Sequence, residues 1–481
     1  MSESGTERFD VIVVGGGPGG SVAASFVAMQ GNRVLLLEKE TFPRYQIGES
    51  LALATVLGVC RMLGVGEELR NAGFTVKRGA NFRWGASQEP WAFSFTDSLP
   101  SPTDQTFSYQ VERAKFDNIL LRNAERVGVD VRENCAVHDV IADAERVRGV
   151  RYVDANGQER TATATIVVDA SGNTSRIYRG VAGERQYSDF FRNIALFGYF
   201  DGGRRLPPPC DGNIITAAFD SGWFWYIPLR DDLTSVGAVV RRELVAKVQG
   251  DKDLALRRLI AECPLISDYL GDAKRVTEGV YGQVRVRKDY SYCADRFWRP
   301  GMVLVGDAAC FVDPVLSSGV HLATYSALLA ARSINSTLAG TVAEDEAFDE
   351  FEGRYRREYG NFYEFIVSFY DMHVDESSYF WRARKVINHQ GTDLAAFARL
   401  ISGVSSGDGA LVAEDPAASG ESEDWDRAMN LRFDPFRAKW GAARWIPGGL
   451  PKPGPRPGGL VPSEDGMSWQ VRVRATVWTE V

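Results

Sequence analysis

The sequence predicts an α/β fold in which a three-layer, Rossmann-like nucleotide-binding domain is joined to a lobe built on an antiparallel sheet. The first domain is predicted by a buried strand, a glycine turn and a helix within residues 9–28, and by a second buried strand at 302–305. The second lobe is predicted by residues 186–285, which are rich in aromatic and β-branched residues and show little helical periodicity. From residue 336 the chain is predicted to be mostly helical and partly irregular.

The glycine turn follows the apolar run Val11–Val14 and has the spacing G-x-G-x-x-G, with glycines at Gly15, Gly17 and Gly20. The first glycine permits a tight turn, the second lets a pyrophosphate approach the backbone, and the third lets the helix pack closely on the strand. The phosphates would then bind the free N–H groups at the start of the helix. This spacing alone is a weak indication of function.

The next predicted strand, Val34–Leu37, ends at Glu38, about 20 residues after the glycine turn. A carboxylate at that position can accept hydrogen bonds from a ribose diol. A glycine-rich turn without a ligand is the alternative interpretation. The complete order of strand, turn, helix, strand and acid favours a dinucleotide site.

Two later segments repeat this arrangement of an apolar strand followed by an acid. The first ends at Asp169 and Gly172, and the second, Met302–Val305, leads to Asp307. Ligands of open α/β sheets bind at the carboxyl ends of the strands, so we expect both segments to face the same cofactor. A helix predicted to begin near Gly319 provides free N–H groups for a second anion.

Composition and charge exclude several functional classes. The 481 residues are too many for one ordinary core, and the net charge of −8 argues against nucleic acid as the main partner. No apolar run approaches the roughly 20 residues of a membrane span, and no signal sequence is evident, so we expect a cytoplasmic protein without a membrane span. The six cysteines include no C-x-x-C pair and the four histidines lack ligand spacing, so no metal site is expected.

The local sequence pattern alone does not assign a role to two polar features of the chain. Arg44 and the segment Gly48–Ser50 lie where a loop could fold over a bound cofactor, but a solvated loop with Ser50 as an N-cap fits equally well. Lys77 lies among apolar neighbours, and a single lysine is usually a solvated surface charge.

Taken together, the three acid-containing motifs resemble those of the flavoprotein group that includes aromatic hydroxylases, geranylgeranyl reductases and flavin-dependent halogenases. Two further segments resemble halogenases in particular. Trp223-x-Trp225-x-Ile227-Pro228 matches the W-x-W-x-I-P motif of that family, and Phe311-x-x-Pro314-x-x-Ser317-x-Gly319 matches its F-x-x-P-x-x-S-x-G motif. The resemblance extends over residues 8–335 and implies an FAD-binding domain of the aromatic-hydroxylase type.

The resemblance also implies the chemistry. FAD would act as FADH2 supplied by a separate flavin reductase, with chloride and oxygen as co-substrates, through a flavin C4a-hydroperoxide and hypochlorous acid. Lys77 falls where the family carries its essential lysine, and Trp223 and Trp225 would separate the flavin from the organic substrate. Glu49 and Ser50 are assigned to the same catalytic passage.

Individual residues are assigned to ligands on the same basis, with Glu38 on the adenosine ribose and Asp307 on the ribityl chain. The implied chloride site consists of Ser317, Ser318 and Gly319. The implied cofactor site consists of Gly15, Gly17, Pro18, Gly20, Glu38, Lys39, Arg44, Ser50, Arg113, Asp169, Gly172, Asp307, Pro314, Gly319 and Val320.

The short aromatic lobe resembles halogenases of secondary metabolism and antibiotic biosynthesis that chlorinate a phenol or pyrrole held on an acyl or peptidyl carrier protein. The expected partners are therefore a flavin reductase and a carrier protein. Three alternatives stay open at this point: an FAD-dependent aromatic monooxygenase, a flavoprotein similar to geranylgeranyl reductase, and a non-enzymatic flavin-binding sensor.

The expected domain organisation follows from these assignments. Segments Gly403–Glu423 and Pro447–Pro462 are predicted to be linkers or mobile cover because they are rich in small residues and proline. The expected divisions are 1–75, 105–185 and 286–335 for the FAD-binding domain, 76–104 and 186–285 for the substrate lobe, and 336–481 for the C-terminal region.

Overall fold

The computed structural model describes residues 6–85, 89–99, 103–371, 383, 386, 392–411 and 460–471. The strands in these ranges are β1 Glu7–Val14, β2 Val34–Leu37, β3 Thr75–Lys77, β4 Gly79–Arg83, β5 Trp91–Ser94, β6 Ser108–Gln110, β7 Asp130–Arg132, β8 Ala136–Ala142, β9 Val147–Val153, β10 Glu159–Asp169, β11 Arg185–Asp201, β12 Ile214–Phe219, β13 Gly222–Arg230, β14 Leu233–Val240, β15 Lys274–Arg275, β16 Arg285–Ala294, β17 Trp298–Arg299, β18 Met302–Leu304, β19 Cys310–Phe311, β20 Leu460–Pro462 and β21 Trp469–Val471.

The helices in the same ranges are α1 Pro18–Ala28, α2 Gly66–Asn71, α3 Arg113–Arg126, α4 Lys252–Ala261, α5 Pro264–Leu270, α6 Gly319–Leu338, α7 Glu344–Asp371 and α8 Asp393–Ser402. A π-helical stretch, Ala54–Cys60, precedes α2. Of these helices, none combines the length and apolar character needed to cross a lipid bilayer.

The first sheet has the order β17-β18-β10-β1-β2-β7, with β8 and β9 joined to β10. Strands β18, β10, β1, β2 and β7 are parallel to one another, and their register aligns their carboxyl ends. Val14 pairs with both Leu37 and Asp169, and Asp169 pairs with Leu304. The residues that follow these strands therefore meet at one edge of the sheet, and the predicted α/β class with a Rossmann-like domain is confirmed.

The second sheet has the order β19-β16-β11-β14-β13-β12-β4-β5. Because side chains alternate along a strand, its two faces have different environments. Trp223 and Trp225 of β13 belong to the apolar cluster shared with the first sheet, whereas Phe224 and Tyr226 belong to a cluster formed with α4 and α5. One face of the second sheet is thus turned toward the first sheet.

Two features of this region differ from the sequence expectation. Helices α4 and α5 cover one face of the sheet. The sequence did not predict these short helices, because aromatic and β-branched strand residues dominate the composition of 186–285. Strand β16 pairs with β11 of the second sheet, although the segment 286–335 was expected in the FAD-binding domain. Alternating polarity shows that a segment is a strand, but it does not show which sheet the strand joins.

The C-terminal region is packed where the structure describes it. Gly403 ends α8 with φ +76°, and a Cβ there would lie 2.7 Å from the ring of His321. The side chain of Trp469 is buried against α6 and donates a hydrogen bond from Nε1 to the hydroxyl of Ser333 at 3.0 Å. The expectation of linkers is therefore wrong for 403–411, where Gly403 serves a tight turn at the end of α8, and for 460–462, which form β20 paired with β21. Residues 412–459 lie outside the described ranges.

A buried ion pair fixes this region to α6 and leads to a stability prediction. Arg332 binds Asp408 through two contacts of 2.5 and 3.1 Å, and both side chains are almost fully buried. Asp408→Ala would leave the guanidinium unpaired, so we expect a loss of about 3–5 kcal/mol in the free energy of unfolding, measured by urea denaturation. The control is Asp268→Ala, which breaks an exposed pair with Arg204 and is expected to change that free energy by less than about 1 kcal/mol. Equal losses in the two variants would contradict the expectation.

Candidate active site

The glycine loop between β1 and α1 leaves an open space at the start of the helix. Gly15 has φ +104°, and a Cβ on it would lie 2.6 Å from the carbonyl oxygen of Ala170. A Cβ on Gly20 would lie 1.8 Å from the carbonyl oxygen of Gly15. At Gly17 the nearest atom would be a guanidinium nitrogen of Arg44 at 3.4 Å. Two glycines therefore allow close packing of the chain, and Gly17 leaves room for a ligand beside the helix N-terminus, where Pro18 is the first residue.

Glu38 lies beside this loop at the end of β2. Its side chain is 5% exposed, and Oε2 accepts a hydrogen bond from the N–H of Gly16 at 2.6 Å. Oε1 accepts a hydrogen bond from the N–H of Glu40 at 2.8 Å. Each carboxylate oxygen retains a lone pair for a further donor, so the position suits a ribose hydroxyl. Lys39 is exposed next to it, and its contact with a cofactor stays a prediction.

Arg44 and Arg113 are both organised by Asp117, a buried residue to which the sequence analysis gave no role. Nε and Nη2 of Arg113 donate to the two oxygens of Asp117 at 2.7 and 2.9 Å, and Arg44 donates to the same carboxylate at 3.1 Å. Arg113 also donates to the carbonyl of Ile47 at 2.6 Å, which holds the loop containing Arg44 next to Gly17. The spacing of four residues from Arg113 to Asp117 on one helix is a signal that could have revealed this pair.

Asp169 shapes the loop that follows β10. Its buried carboxylate accepts hydrogen bonds from the hydroxyls of Ser171 and Ser175 at 2.6 and 2.5 Å, and from the N–H of Ser171 at 3.0 Å. Gly172, with φ +77°, begins the short helical turn that comes next. The carboxylate is thus engaged within its own loop, and its direct contact with a cofactor stays a prediction.

Arg185 joins this loop to the one that follows β18, and the sequence analysis missed it. Its guanidinium donates to the carbonyl of Asn173 at 2.6 Å and to the carbonyl of Ala308 at 3.0 Å. The same group lies between the rings of Tyr178 and Tyr292, at 4.3 and 4.5 Å from their centroids. No local sequence pattern predicts this role of Arg185, because its contacts come from segments that are far apart in the chain.

Asp307 lies in the turn after β18, deep in the cleft although part of its side chain still meets solvent. Burial raises the pKa of Asp307 to about 6, and the nearby charges of Arg113 and Arg185 partly offset this effect. Its position after the carboxyl end of the parallel strand β18 is the one predicted for a ligand contact.

The residues of the predicted anion site lie in the turn between β19 and α6, and its contact with an anion stays a prediction. Asp313 accepts a hydrogen bond from the backbone of this turn at 3.0 Å, and Pro314 is the first residue of its helical part. Ser317 has φ +58°, and Gly319, the first residue of α6, faces open space. The hydroxyl of Ser318 is buried and makes no hydrogen bond within the part of the chain that the structure describes.

The segment Gly48–Ser50 lies between α3 and the start of α6. A Cβ on Gly48 would lie 2.9 Å from Nη1 of Arg113 and 4.0 Å from Val320. Glu49 is 2% exposed, and burial raises the pKa of its carboxyl to about 7. Among the described residues, neither Oε2 of Glu49 nor the buried hydroxyl of Ser50 has a hydrogen-bond partner. Orphaned polar atoms at a cleft are the groups that a bound ligand satisfies.

Lys77, at the end of β3, is buried with 1% exposure. Its Nζ donates a hydrogen bond to the carbonyl of Leu51 at 3.0 Å and lies 5.3 Å from the ring centroid of Phe95. No carboxylate of the described chain forms an ion pair with it, and burial lowers the pKa of its amine to about 7. The amine is therefore partly neutral near neutral pH, which distinguishes it from a solvated surface lysine.

The two tryptophans of the aromatic motif lie on the face of β13 that is turned toward the first sheet. Nε1 of Trp223 donates a hydrogen bond to the hydroxyl of Tyr370, which in turn donates to Asp313 at 2.9 Å. Nε1 of Trp225 donates to the hydroxyl of Ser235 at 3.1 Å. The tryptophans are therefore held in place by the turn that precedes α6 and by the neighbouring strand.

The glycine loop, Glu38 and the loops after β10 and β18 converge on one edge of the parallel sheet, which defines a dinucleotide-binding protein. The open space at Gly17 and the unpaired oxygens of Glu49 and Ser50 fit a cofactor longer than a mononucleotide. Lys77 and the tryptophan pair occupy adjoining elements, since β3 contacts β13. A buried amine and two buried indole rings thus lie on neighbouring elements of the second lobe.

Comparison with known proteins gives the family. The chain matches the family model described as tryptophan halogenase over residues 10–104 and 98–429. It is 35% identical over 405 residues to a tryptophan 2-halogenase of Chondromyces crocatus, a match that covers 82% of this chain and 75% of the relative. It is 32% identical over 392 residues to a 1H-pyrrole-2-carbonyl-(peptidyl-carrier protein) chlorinase of Pseudomonas fluorescens, covering 76% of this chain and 84% of the relative.

Among solved structures, the myxobacterial chondrochloren halogenase CndH, described as a new variant of FAD-dependent halogenases, matches with a TM-score of 0.77 and 54% identity. That match covers 96% of this chain and 100% of the other. The chain belongs to the flavin-dependent halogenase family. The halogenase resemblance, the enzyme class and the use of FAD are thereby confirmed, in preference to a monooxygenase, a reductase or a sensor.

Proposed function

We propose that the protein chlorinates an electron-rich phenol or pyrrole ring that is bound to a carrier protein. A separate flavin reductase supplies FADH2, and oxygen and chloride are the co-substrates. The bound reduced flavin supplies the electrons that activate oxygen for the oxidation of chloride to hypochlorous acid. The single observation that carries the proposal is the buried amine of Lys77, which has no carboxylate partner among the described residues.

Burying an unpaired amine lowers stability, so its retention needs a functional reason. Lys77 donates to the carbonyl of Leu51, two residues after Glu49, and thus lies next to the segment that packs against the start of α6. From there the amine can hydrogen-bond hypochlorous acid. It can also take up the chlorine as a chloramine: the O–Cl bond of hypochlorous acid breaks, the nitrogen exchanges one of its hydrogens for chlorine, and that proton leaves with the hydroxide as water. The chloramine role requires a neutral amine, which burial makes partly available near neutral pH.

Trp223 and Trp225 would form the wall between the cofactor and the organic ring. Both lie on the face of β13 directed toward the first sheet, and both are at least nine-tenths buried. Such a wall would keep the ring away from the flavin, so that only hypochlorous acid passes toward Lys77. Exclusion of water from this passage would also protect the oxidised halogen from loss.

The buried hydroxyl of Ser318 would bind chloride together with the N–H groups at the start of α6. Ser318→Ala is expected to raise the KM for chloride about tenfold and to leave kcat at saturating chloride nearly unchanged, because one hydrogen bond to an anion is lost. The control is Thr337→Val, which removes a hydroxyl at the far end of α6 that likewise has no hydrogen-bond partner among the described residues. An unchanged KM for chloride in Ser318→Ala would contradict this assignment.

A tethered substrate is supported by two observations. The Pseudomonas relative is named for a pyrrole bound to a peptidyl carrier protein. In this chain the irregular part of β11 exposes two rings, Tyr187 at 45% and Phe190 at 49%, and Phe190 lies 6.2 Å from the Tyr370 ring that binds Trp223. An exposed apolar surface next to the tryptophan wall would accommodate a carrier-bound ring better than a small free substrate.

The test compares bound and free forms of the same ring. Phenolic and pyrrole-2-carbonyl thioesters on a carrier protein, the corresponding free acids and free tryptophan are incubated with the protein, FAD, a flavin reductase, NADH, oxygen and chloride. We expect chlorination of a carrier-bound thioester and none of its free acid. Equal chlorination of the free acid, or chlorination of tryptophan alone, would overturn the tethered-substrate proposal.

A further inference from the structure

A chain of short hydrogen bonds runs from the surface to the buried carboxyl of Glu49. The hydroxyl of Tyr199 donates to Oε1 of Glu49 at 2.7 Å, and the hydroxyls of Tyr45 and Tyr199 lie 2.6 Å apart. Tyr199 and Glu49 are buried, whereas Tyr45 lies partly exposed on the loop that also carries Arg44. Both distances are typical of strong O–H···O hydrogen bonds.

This series of hydrogen bonds has a direction. Because Tyr199 gives its proton to Glu49, its oxygen accepts the hydrogen bond from Tyr45, as a proton moving inward requires. At the inner end, Oε2 of Glu49 is buried and accepts no assigned hydrogen bond within the described chain, and the nearby hydroxyl of Ser235 favours the ionised carboxyl. Glu49 is also two residues from Leu51, the partner of Lys77. The path therefore ends at the candidate active site.

The overall chemistry of halogenation consumes protons. The reaction FADH⁻ + O2 + Cl⁻ + ArH + 2 H⁺ → FAD + ArCl + 2 H2O balances in atoms and charge. The two protons that this reaction consumes cannot be delivered freely by bulk water, because water is excluded from the proposed site. A fixed chain of hydroxyls that ends at a carboxyl is a route suited to this demand.

We propose that Tyr45, Tyr199 and Glu49 form a proton path from the surface to the active site, with Glu49 as the proton donor at its inner end. The use of these protons rests on the proposed halogenation, whereas the path itself does not. Tyr45 and Tyr199 act through Glu49 and are positioning residues.

The charges around the path are consistent with this role. At neutral pH the carboxyl populates both protonation states, because burial raises its pKa to about 7 and the contacts from Ser235 and Tyr199 and the charge of Arg113 only partly offset burial. Burial also raises the pKa of Tyr45 to about 12, so this hydroxyl keeps its proton. The titratable groups that face the path from neighbouring elements are Arg113, Glu112, Tyr281, Arg285 and Arg287.

Proton transfer along the path can be measured without turnover. In the FAD-bound protein, the carboxylic-acid stretching band of Glu49, assigned by its loss in Glu49→Gln, is followed by infrared spectroscopy after mixing with D2O. We expect Tyr199→Phe and Tyr45→Phe to slow its hydrogen–deuterium exchange at least about tenfold. The control is Tyr281→Phe, whose ring centroid lies 4.4 Å from that of Tyr199 but whose hydroxyl donates to Glu112 at 2.8 Å. This variant is expected to exchange as the wild type does.

The same variants then link the path to the reaction. We expect Tyr199→Phe to lower kcat for halogenation about tenfold, with unchanged FAD affinity and unchanged KM for chloride. On the alkaline side of the pKa of Glu49, wild-type kcat should fall with rising pH, because the protonated carboxyl is the donor and Lys77 is already neutral there. Unchanged exchange in Tyr199→Phe, absence of the Glu49 band in the wild type, or slowed exchange with unchanged kcat would overturn the proposal. If exchange is slowed in Tyr199→Phe but the wild type halogenates no substrate, the proposed function is overturned and the proton path stays in place.

Discussion

Replacement of Lys77 by methionine is expected to abolish halogenation while FAD still binds. Methionine nearly matches the lysine in length and suits an apolar site, so the variant loses the amine and its hydrogen bond to Leu51 without creating a large cavity. Product is measured by mass spectrometry, FAD binding by titration and the fold by circular dichroism. The control is Lys252→Met, which removes an exposed amine at the start of α4 and should halogenate as the wild type does. Normal chlorination by Lys77→Met would contradict the catalytic assignment.

The same variant tests the burial of the amine through the pH dependence of stability. Burial lowers the pKa of Lys77 to about 7, below the roughly 10.4 of a lysine in the unfolded chain. Between these values the unfolded state holds the proton and the folded state does not, so the free energy of unfolding rises with pH. Relative to Lys77→Met, the wild type should gain up to about 1.4 kcal/mol per pH unit in this interval. A parallel dependence in the two proteins would show that the amine is solvated.

The second large effect is expected from Gly17→Val, which should abolish FAD binding without unfolding the protein. Gly17 has φ −67° and ψ 179°, a conformation that any residue adopts, and a Cβ there meets only the flexible end of Arg44. The valine side chain would instead fill the space at the N-terminus of α1 where the pyrophosphate is predicted to bind. Bound flavin is measured by its absorbance, and the fold by circular dichroism.

Gly66→Val is the matched control for Gly17→Val. Gly66 also lies at the start of a helix, and a Cβ on it would lie 3.6 Å from a guanidinium nitrogen of Arg70. This variant should therefore bind FAD as the wild type does. Full flavin occupancy in folded Gly17→Val would show that the cofactor does not approach the glycine loop as predicted.

The parallel sheet could be predicted from the sequence because its signals are local. The run Val11–Val14, the glycine turn and the strand that ends at Glu38 occupy one continuous stretch, and the observed register brings their ends together. The linker prediction was wrong at 403–411 because composition does not distinguish a flexible glycine from one required by a tight turn. At Gly403 the ring of His321 leaves no room for a side chain.

The candidate site could be predicted only where a short motif marks it. The motif placed Trp223 and Trp225 on one face of a strand, but the direction of that face depends on how the two sheets pack. Arg185 and Tyr199 carry no local signal, because Arg185 joins the loop after β10 to Ala308 and Tyr199 binds Glu49, and both of these partners lie more than a hundred residues away in sequence. The burial of Lys77 likewise depends on a three-residue strand whose neighbours come from distant segments.

The most direct test of the account is the mass of the product formed from a carrier-bound phenol or pyrrole in the presence of FAD, flavin reductase, NADH, oxygen and chloride. We expect replacement of one ring hydrogen by chlorine, shown by the chlorine isotope pattern, and its absence in Lys77→Met. A product that gains an oxygen atom without halogen would contradict the account and show that the oxidising equivalent reaches the ring directly.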